Sequence, residues 1–359
     1  MGKLFGFLIS VLVIAGALAA GAIFYGNYLY AKEGPVTADG QPRIVTIAKG
    51  APAISTKLKD AGAIEDALQF RLLMRGREFM PGADKVVFKA GEYAIPSKAS
   101  IADIVKQISE GKSLEYVVII PEGLTSAMIM QLLADKEWKS APGAGSETAI
   151  KLTGKPPTTP AEGVILPGGY HVVRGATIES VVQRAIKAQN DLMAQLWPNR
   201  QAGLPSEIKT PQDAIKLASI VENESGHPED RPMVASSFLN RLRKPMRLDS
   251  DVTIVYGLSR GVPLGHEIRA SEKAQKTEWN TYLIDGLPKT PICNPGEAAI
   301  RAVLNPPQSN YIYFVAEGGS GKTLFAATLA EHNANVANYR EFEKQRNAER
   351  ERVRKAAGQ

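Results

Sequence analysis

Two glutamates, Glu222 and Glu224, stand two positions apart near the end of the run TPQDAIKLASIVENESG at residues 210–226. A single carboxyl group can protonate a leaving oxygen and then accept a proton back, provided that its pKa keeps it protonated near neutral pH. Burial beside apolar side chains and the negative end of a helix both raise a carboxyl pKa. These residues therefore suggest bond cleavage by general acid catalysis with one glutamate.

The element that must position these acids is predicted to be a helix, because signals for its start and its end are both present. Thr210 is a good N-cap, Pro211 suits the first helical position, and Asp213 completes a capping box. Gly226 predicts a left-handed end to the helix.

At about 100° per residue, one face of this helix is apolar and comprises Ala214, Leu217, Ile220 and Val221. Glu224 follows Leu217 by one heptad and lies close to the centre of that face, whereas Glu222 lies roughly 120° from it. Acids at helix ends are more often solvated surface residues. If this helix carries a catalytic acid, the pattern favours Glu224 over Glu222.

The N-terminal run Leu4–Tyr25 is long enough and apolar enough to cross a membrane once. A cleaved signal peptide is the alternative, because small residues cluster at positions 17–22. The apolar run continues beyond that cluster, and Tyr25, Tyr28 and Tyr30 resemble an interfacial aromatic belt. We therefore predict an uncleaved anchor over residues 1–32 in the cytoplasmic (inner) membrane, with the C-terminal bulk on the periplasmic, extracytoplasmic side.

A polar linker at residues 33–43 precedes a small α+β module predicted for residues 44–120. Its expected strands cover residues 44–47, 86–88 and 116–120, and its expected helices cover residues 51–61, 64–74 and 101–108. Ser100 is expected to cap the last helix and Gly111 to end it. This alternation suggests a glycan-binding module of LysM type, and an ordinary structural subdomain without a ligand is an equal alternative.

Residues 121–340 form the predicted second domain, followed by a charged tail at residues 341–359. Helices are expected at residues 125–135, 178–196, 210–226, 230–245, 298–304 and 328–345. A loop is expected at residues 140–160, a short strand or turn at 252–256, and paired strands at 311–315 and 323–327. In the run EGVILPGGY, a turn is expected to bring Tyr170 close to the backbone. The fold class is therefore α+β, with a transmembrane helix, a LysM-like module and a mainly helical α+β catalytic domain.

The run AEGGSGKT, Ala316–Thr323, matches a loose Walker A pattern after a strand and raises the alternative of a P-loop nucleotide-binding protein. A P-loop needs a helix directly after it and a later strand that carries a magnesium-binding Asp. The residues that follow resemble a returning strand, so a glycine-rich hairpin turn fits better.

The composition argues against disulfide-stabilised, zinc-binding and nucleic-acid-binding proteins. The chain has 359 residues, a net charge of +6, one cysteine and four histidines. The single Cys293 excludes an internal disulfide framework, and the histidines lack the spacing of a zinc site. Basic residues form no aromatic-interleaved stripe outside the tail, which disfavours nucleic-acid binding. We therefore predict no metal, no cofactor and no nucleic-acid partner.

The stretch Leu217–Gly257 resembles the MltG/YceG family of membrane-anchored endolytic murein transglycosylases. The similarity extends, in the same order, through GEY at 91–93 and PEG at 121–123 upstream, and NTY at 280–282, GLP at 286–288, PG at 295–296, YIYFV at 311–315 and HN at 332–333 downstream. The pair Glu224-Ser225 also resembles the catalytic dipeptide of lysozyme-like lytic transglycosylases. One departure is LPGGY at 166–170, where the family usually has an FPDTY type run with a polar Asp.

The resemblance implies cleavage of the MurNAc-β-1,4-GlcNAc bond within nascent peptidoglycan strands, which limits strand elongation. Ordinary glycosidases use two carboxylates, whereas a lytic transglycosylase needs one. Protonated Glu224 is expected to donate to the glycosidic oxygen and then to take the proton of the sugar's C6 hydroxyl, which closes a 1,6-anhydro ring on C1. The residues expected to hold the substrate are Ser225, Asn240, Asp251, Thr253, Tyr256, Asn280 and Tyr282.

Local structural roles are the alternative for each of these binding residues, and Glu222 is expected to form a salt bridge with Arg241 or Arg247. The expected partners are peptidoglycan glycan strands and the membrane, and peptidoglycan synthases are candidate protein partners. A non-catalytic, membrane-anchored scaffold that binds the cell wall is the remaining alternative.

Overall fold

The computed structural model describes residues 2–48, 54–79, 86–141, 148–155, 158–319 and 322–356. The chain is a mixture of helices and short two-stranded sheets, and it divides into two compact units. The first comprises Met1–Val118, Glu137–Lys151 and His171–Ala176, and the second comprises Ile119–Lys136, Leu152–Tyr170 and Thr177–Gln359. Each unit has a hydrophobic core of its own.

The first half of the chain alternates helices with short strands. Its elements are α1 (Gly2–Ala31), β1 (Arg43–Ile47), α2 (Ile54–Asp60), α3 (Ala67–Glu78), β2 (Gly91–Ile95), α4 (Ile101–Glu110), β3 (Tyr116–Ile120), α5 (Ser126–Asp135), β4 (Trp138–Lys139), β5 (Ala149–Ile150) and β6 (Gly168–Val172). The sheets pair β1 with β2, β3 with β6, and β4 with β5.

The second half of the chain is mainly helical. Its elements are α6 (Ile178–Leu196), α7 (Pro211–Glu224), α8 (Arg231–Arg243), α9 (Asp251–Ser259), α10 (Ala270–Lys273), α11 (Glu297–Leu304), β7 (Tyr313–Ala316), β8 (Thr323–Ala326) and α12 (Leu329–Ala356). A short 3-10 turn, Pro228–Asp230, joins α7 to α8.

Helix α1 is the long apolar helix that the sequence predicts. Its stretch Phe5–Ala31 has 27 residues and a mean hydropathy of 2.6, which suffices in length and composition for one membrane crossing. The membrane-like pattern therefore corresponds to a single continuous helix.

The antiparallel pair of β1 and β2 organises the core of the first unit. Arg43 lies opposite Ile95, and the pairing ends with Ile47 opposite Gly91. The predicted strand at residues 86–88 is wrong, because those residues are irregular and the partner of β1 begins at Gly91. The predicted helix at residues 51–61 is α2, although residues 51–53 lie outside the described ranges.

The predicted ends of α4 are confirmed. Ser100 and Asp103 form a complete capping box, and Gly111 ends the helix with a φ of 78°. A Cβ atom is strained at that backbone angle, so glycine suits the position.

Helix α7 also begins as predicted. The Asp213 N–H donates to Thr210 Oγ1 over 3.2 Å, and the Asp213 carboxylate accepts the Thr210 N–H over 3.0 Å. The four residues of the predicted apolar face are fully buried in the core of the second unit: Ala214, Leu217, Ile220 and Val221. The predicted left-handed end at Gly226 is wrong, because the chain leaves the helix at Ser225 in an extended conformation with a φ of −80°.

Helix α9 replaces the strand or turn predicted at residues 252–256. A short apolar run fits a strand and a buried helix equally well, and here burial of Ile254 and Tyr256 stabilises the helix. Two further predictions need correction: β5 lies within the loop predicted at residues 140–160, and α12 continues to Ala356 rather than to about residue 345.

Two turns in the second unit have the predicted form. The Tyr170 hydroxyl donates to the Leu166 carbonyl over 2.5 Å, as expected for the EGVILPGGY turn. Strands β7 and β8 pair antiparallel with Ala316 opposite Thr323, so a strand follows the Walker-like run where a P-loop needs a helix. Residues 320–321 of that run lie outside the described ranges, and the hairpin interpretation of the flanking strands is confirmed.

Candidate active site

Glu224 is the last residue of α7, and its half-buried side chain lies at the start of α9. The Ser250 hydroxyl donates to Glu224 Oε1 over 2.6 Å. Ser250 is the N-cap residue of α9, but its side chain makes no capping bond to that helix. The hydrogen bond of the Ser250 side chain therefore goes to the carboxyl group of Glu224 and not to the backbone of its own helix.

The environment of Glu224 raises its pKa. Burial is the largest cause and the charge of Asp251 adds to it, whereas the Ser250 hydroxyl, the charge of Arg241 and the backbone of Asp251 act in the opposite direction. Among the described residues, none of the ion pairs involves Glu224. A carboxyl group with a raised pKa keeps its proton to a higher pH than an exposed one, and such a proton can be donated to a substrate.

Glu222 has a different set of partners, although burial raises its pKa as well. The residue is 7% exposed, and its side chain pairs with the Arg231 guanidinium and accepts the Gly296 N–H over 2.9 Å. Arg231 also donates to Glu122 over 3.0 Å. Glu222 is thus committed to structural contacts that link α7, the start of α8 and the start of α11.

The predicted salt bridge of Glu222 is right in kind and wrong in partner. Arg247 instead pairs with Asp285 over 3.2 Å, and the buried Arg241 donates to backbone carbonyls. The 3-10 turn after α7 folds the first residue of α8 back towards the end of α7, which brings Arg231 to Glu222.

Arg241 supplies a buried positive charge near the site. Its Nε donates to the Ile312 carbonyl over 2.6 Å, and its guanidinium also donates to the Leu248 carbonyl. Burial lowers the pKa of Arg241, while the charges of Asp249 and Glu224 raise it. Its charge favours the ionised form of Glu224, so it can stabilise the carboxylate that remains after proton donation.

The hydroxyl groups of two buried threonines hold the backbone of Ser250 in place. The Ser250 N–H donates to Thr281 Oγ1 over 3.0 Å, and the Thr253 hydroxyl donates to the Ser250 carbonyl over 2.6 Å. Thr253 and Thr281 are fully buried, and their Oγ1 atoms lie 2.9 Å apart. Thr253, predicted to bind substrate, therefore serves to hold the residue that contacts Glu224.

Asp251 and Tyr282 form a second pair beside the acid. The Tyr282 hydroxyl donates to Asp251 Oδ1 over 2.8 Å, and Lys273 Nζ lies 3.7 Å from the centre of the Tyr282 ring. Burial raises the pKa of Tyr282, so its hydroxyl remains a hydrogen-bond donor at neutral pH. The structure thus brings the predicted residues Asp251 and Tyr282 into the surroundings of Glu224.

The two predicted asparagines have structural contacts. Asn240 donates from Nδ2 to the carbonyls of Ser309 and Tyr311 over 2.8 and 3.0 Å. Asn280 is 1% exposed and donates to the carbonyls of residues 273 and 275 over 3.0 and 2.9 Å. Both amides join neighbouring chain segments, as in the alternative that the sequence left open.

Tyr256 is packed into the same unit by its ring. It meets Trp279 edge to face with ring centres 5.6 Å apart, and its hydroxyl lies 3.5 Å from Glu162 Oε1. Glu162 is a half-buried acid that the sequence reading did not single out. Its carboxylate accepts the Ser126 N–H over 2.9 Å, and burial raises its pKa.

The segment that follows Glu224 contains buried polar atoms with no hydrogen-bond partner in the described part of the chain. They are Ser225 Oγ, His227 Nδ1, Asp230 Oδ2 and Arg231 Nε. A buried polar atom without a partner costs about 1–3 kcal/mol, so the hydrogen-bonding capacity of this segment is not satisfied by the described residues. Of the predicted binding residues, Ser225 is the one that belongs to this segment.

Ser250 and Thr281 lie around Glu224 but were not named from the sequence, and Arg241 was named there only as a salt-bridge partner of Glu222. Ser250 directly precedes Asp251, and this Ser-Asp pair is an N-cap signal that becomes visible once residues 252–256 are read as helix. Thr281 contacts Ser250 across 31 positions of sequence, and Arg241 contacts Ile312 across 71 positions. No local sequence signal predicts contacts between residues so far apart.

Comparison with known proteins places the chain in a family. Residues 45–338 match the model of the YceG-like family. Endolytic murein transglycosylases of Streptococcus pneumoniae serotype 2 and Bacillus subtilis are each 27% identical to the chain, over 93% and 90% of its length.

The matches differ in how much of each relative they cover. The chain spans 65% of the length of the pneumococcal relative and 91% of the Bacillus relative. A crystal structure of a yceG-like protein from Listeria monocytogenes is 26% identical, with a TM-score of 0.46, over 82% of this chain and 99% of that one. Because the family model covers most of the chain, the protein belongs to the YceG-like family.

Proposed function

We propose that the protein is an endolytic peptidoglycan lytic transglycosylase. It cleaves the MurNAc-β-1,4-GlcNAc bond within nascent glycan strands and leaves 1,6-anhydro-MurNAc ends, which limits strand elongation. Family membership and the two relatives named endolytic murein transglycosylase support the reaction class. The observation that carries the proposal is the carboxyl group of Glu224, which has a raised pKa, a hydroxyl donor and no ion-pair partner among the described residues.

The reaction needs this one carboxyl group. Protonated Glu224 donates its proton to the glycosidic oxygen while the bond from that oxygen to C1 of MurNAc breaks. The C6 hydroxyl oxygen of the same sugar then attacks C1, and its proton passes to the Glu224 carboxylate. The glutamic acid is thereby regenerated, and no water enters the products. Arg241 stabilises the intermediate carboxylate by its charge.

We assign the predicted binding residues to two groups. Asp251 and Tyr282 stand beside the acid, and Ser225 opens the segment with unpartnered buried polar atoms, so these three contact the sugar. The side chains of Asn240, Thr253, Tyr256 and Asn280 are engaged within the protein, so we assign them to shaping the site rather than to direct contact.

The remaining parts of the proposal concern location. Helix α1 anchors the protein in the cytoplasmic membrane, with the C-terminal bulk outside the cytoplasm, close to newly made glycan. The order strand, helix, helix, strand in β1 to β2, with the two strands paired, supports a LysM-like glycan-binding module at residues 44–120. Peptidoglycan synthases are the protein partners that such a location brings within reach.

Mass spectrometry of products from purified glycan strands tests the reaction. The full-length protein is compared with Glu224→Gln, with Glu222→Gln and with Glu229→Gln, an exposed acid five positions further along. We expect anhydro ends from the wild type and from Glu229→Gln, and a loss of about 10²-fold or more in rate for Glu224→Gln.

The other outcomes identify the alternatives. Reducing ends would show a hydrolase that uses water and a second acid, for which the half-buried Glu162 is the candidate. No cleavage by any of the four proteins would leave the non-catalytic scaffold. Glu222→Gln is expected to act through stability, because it leaves Arg231 buried with a weakened partner.

A further inference from the structure

Helix α3 exposes an apolar face that the proposed reaction does not use. Leu68, Leu72 and Phe79 are 56%, 61% and 78% exposed. At about 100° per residue, they lie within roughly 40° of each other around the helix axis. Single exposed apolar residues are ordinary, whereas an aligned set marks an interaction surface.

Two arginines flank this apolar face. Arg71 and Arg75 are exposed and lie roughly 60° and 20° from Leu68 on one side of it. The opposite side of α3 is held by the protein: Phe70 is 3% exposed in the core, and the Arg77 guanidinium lies 4.0 Å from the centre of the Tyr30 ring. The helix therefore presents an apolar and basic face outward.

Because α3 lies beside α1, the position of α1 in a membrane determines the depth of this apolar face relative to the bilayer. The two helices border a cleft of about 760 Å³ lined by Ile23, Tyr25 and Gly26 of α1 and by Leu68, Leu72 and Phe79 of α3. The apolar stretch Phe5–Ala31 has 27 residues. At 1.5 Å per residue it is about 40 Å long, whereas the hydrocarbon core of a bilayer is about 30 Å thick. Placing the excess at the C-terminal end of α1, where Tyr25, Tyr28 and Tyr30 resemble an interfacial aromatic belt, puts the last turns of α1, and α3 beside them, at the level of the lipid head groups.

We propose that α3 lies on the outer surface of the membrane, with Leu68, Leu72 and Phe79 among the acyl chains and with Arg71 and Arg75 on the phosphates of anionic lipids. This proposal rests on the proposed anchoring of the protein by α1. An amphipathic helix with this distribution binds in the interfacial plane and prefers anionic lipids.

Two observations favour a bilayer over a protein partner on this face. The apolar surface of α3 continues onto the lipid-facing end of α1, where Tyr25 and Tyr28 are 60% and 57% exposed. The arginines also complement the charge of anionic head groups. Binding at two points, α1 and α3, restricts the height and tilt of the first unit at the membrane.

Fluorescence quenching in vesicles tests this placement. The full chain carries an environment-sensitive label at Leu72→Cys, in vesicles of phosphatidylcholine and phosphatidylglycerol that contain a lipid with a quencher on its acyl chain. Cys293 is buried, so the introduced cysteine takes the label. Val11→Cys, within the apolar stretch of α1, is the positive control. Val87→Cys, 64% exposed in the same unit but outside α3, is the negative control.

We expect lipid quenching of the labels at residues 11 and 72 and little quenching at residue 87. Quenching at 11 without quenching at 72 would overturn the proposal for α3 and leave the anchor intact. Absence of quenching at 11 would overturn both. A blue-shifted but unquenched label at 72 would show a protein or a second copy on this face, which also contradicts the proposal.

A separate experiment tests the role of the two arginines, Arg71 and Arg75, that flank the apolar face of α3. Arg71→Gln should lower the ratio of docked to undocked label about fivefold in vesicles with phosphatidylglycerol, which is the effect of one cation at an anionic surface. It should have no effect in vesicles of phosphatidylcholine alone. Arg350→Gln, an exposed arginine of α12, is the matched control. An equal effect of Arg71→Gln in both vesicles would rule out recognition of the anionic head groups.

Discussion

Two glutamates on one helix have different partners, and on this difference we assign them different functions. Burial raises the pKa of both Glu222 and Glu224. Glu222 is held by the Arg231 guanidinium and the Gly296 N–H, which leaves no oxygen free for a substrate proton. Glu224 meets a hydroxyl and no ion-pair partner within the described ranges, so its proton remains available.

Ser250 should position Glu224 and tune its pKa. The Ser250 hydroxyl lowers the pKa of Glu224, so Ser250→Ala should raise it and move the basic limb of the kcat/KM profile to higher pH. Loss of the fixed carboxyl orientation should also lower kcat by about 10- to 100-fold. The pH dependence of strand cleavage measures both effects.

A second buried serine is the control for this substitution. The Ser237 hydroxyl donates back to the Met233 carbonyl of its own helix over 2.9 Å, so Ser237→Ala should leave the pH profile unchanged. A pH profile of Ser250→Ala that coincides with the wild type would contradict the positioning role.

Glu224 should also cost the protein stability at neutral pH. Its pKa in the folded state is raised, whereas in the unfolded chain it is about 4.3. Above the unfolded pKa the folded state binds more protons than the unfolded state, so stability falls as pH rises towards the folded pKa. Glu224→Gln removes this penalty and should make the protein more stable than the wild type at neutral pH.

Urea unfolding at neutral pH and below about pH 4 checks this prediction. The gain from Glu224→Gln should disappear at the lower pH, where the carboxyl group is protonated in both states. Glu229→Gln, at an exposed position, should change stability at neither pH. A gain of equal size at both pH values would show that it does not arise from ionisation.

At the scale of elements, the site is the meeting point of two helix ends. The C-terminus of α7 brings Glu224, and the N-terminus of α9 brings Ser250 and Asp251. The body of α7 is fixed by its buried apolar face against α8 and α11. Errors in the placement of α7 are therefore transmitted directly to the carboxyl group of Glu224, the proposed acid.

Gly163 should be essential to the packing of α7. It has a φ of 79°, and a Cβ atom here would lie 2.6 Å from Ile215 Cγ2 of α7 and 2.7 Å from Pro291 Cγ. Gly163→Ala adds backbone strain of about 1–2 kcal/mol and overpacking of about 1–3 kcal/mol. We expect the free energy of unfolding to fall by the sum, measured by denaturant titration.

Gly203 provides a control with the same backbone angle. Its φ is 78°, but nothing lies within 4 Å of a Cβ atom added there. Gly203→Ala should cost the backbone strain alone, about 1–2 kcal/mol. Equal losses for the two variants would show that contact with Ile215 does not matter.

At the scale of the whole molecule, the proposed anchoring by α1 gives the proposed enzyme a location. Such anchoring would raise the effective concentration of the enzyme near glycan that is made at the membrane. A chain without residues 1–32 should still cleave purified strands but should fail to restore normal strand lengths in cells that lack the protein. The distribution of glycan-strand lengths, measured by chromatography, checks this.

Replacement of residues 1–32 by an unrelated single membrane helix separates location from any specific role of α1. That chimera should restore strand lengths, because it keeps the protein at the membrane. Full restoration by the chain without any anchor would overturn the importance of location.

Sequence patterns determined the parts of this protein that depend on neighbours along the chain. The capping boxes of α4 and α7, the buried face of α7, the bounds of α6 and the β7–β8 hairpin follow from contacts within a few residues. The choice of Glu224 could be made from a helical wheel together with family resemblance, and it stays a prediction. Local propensities suffice for these features because the residues that interact are close in sequence.

Tertiary structure alone decided which distant residues surround the acid. The Ser250–Thr281 contact spans 31 positions, and the helical form of residues 251–259 depends on burial rather than on local pattern. The pairing of Glu222 with Arg231 required the 3-10 turn that returns α8 to the end of α7. Such contacts follow from how helices pack, and the free energy of packing is set by shape and burial that no local stretch of sequence contains.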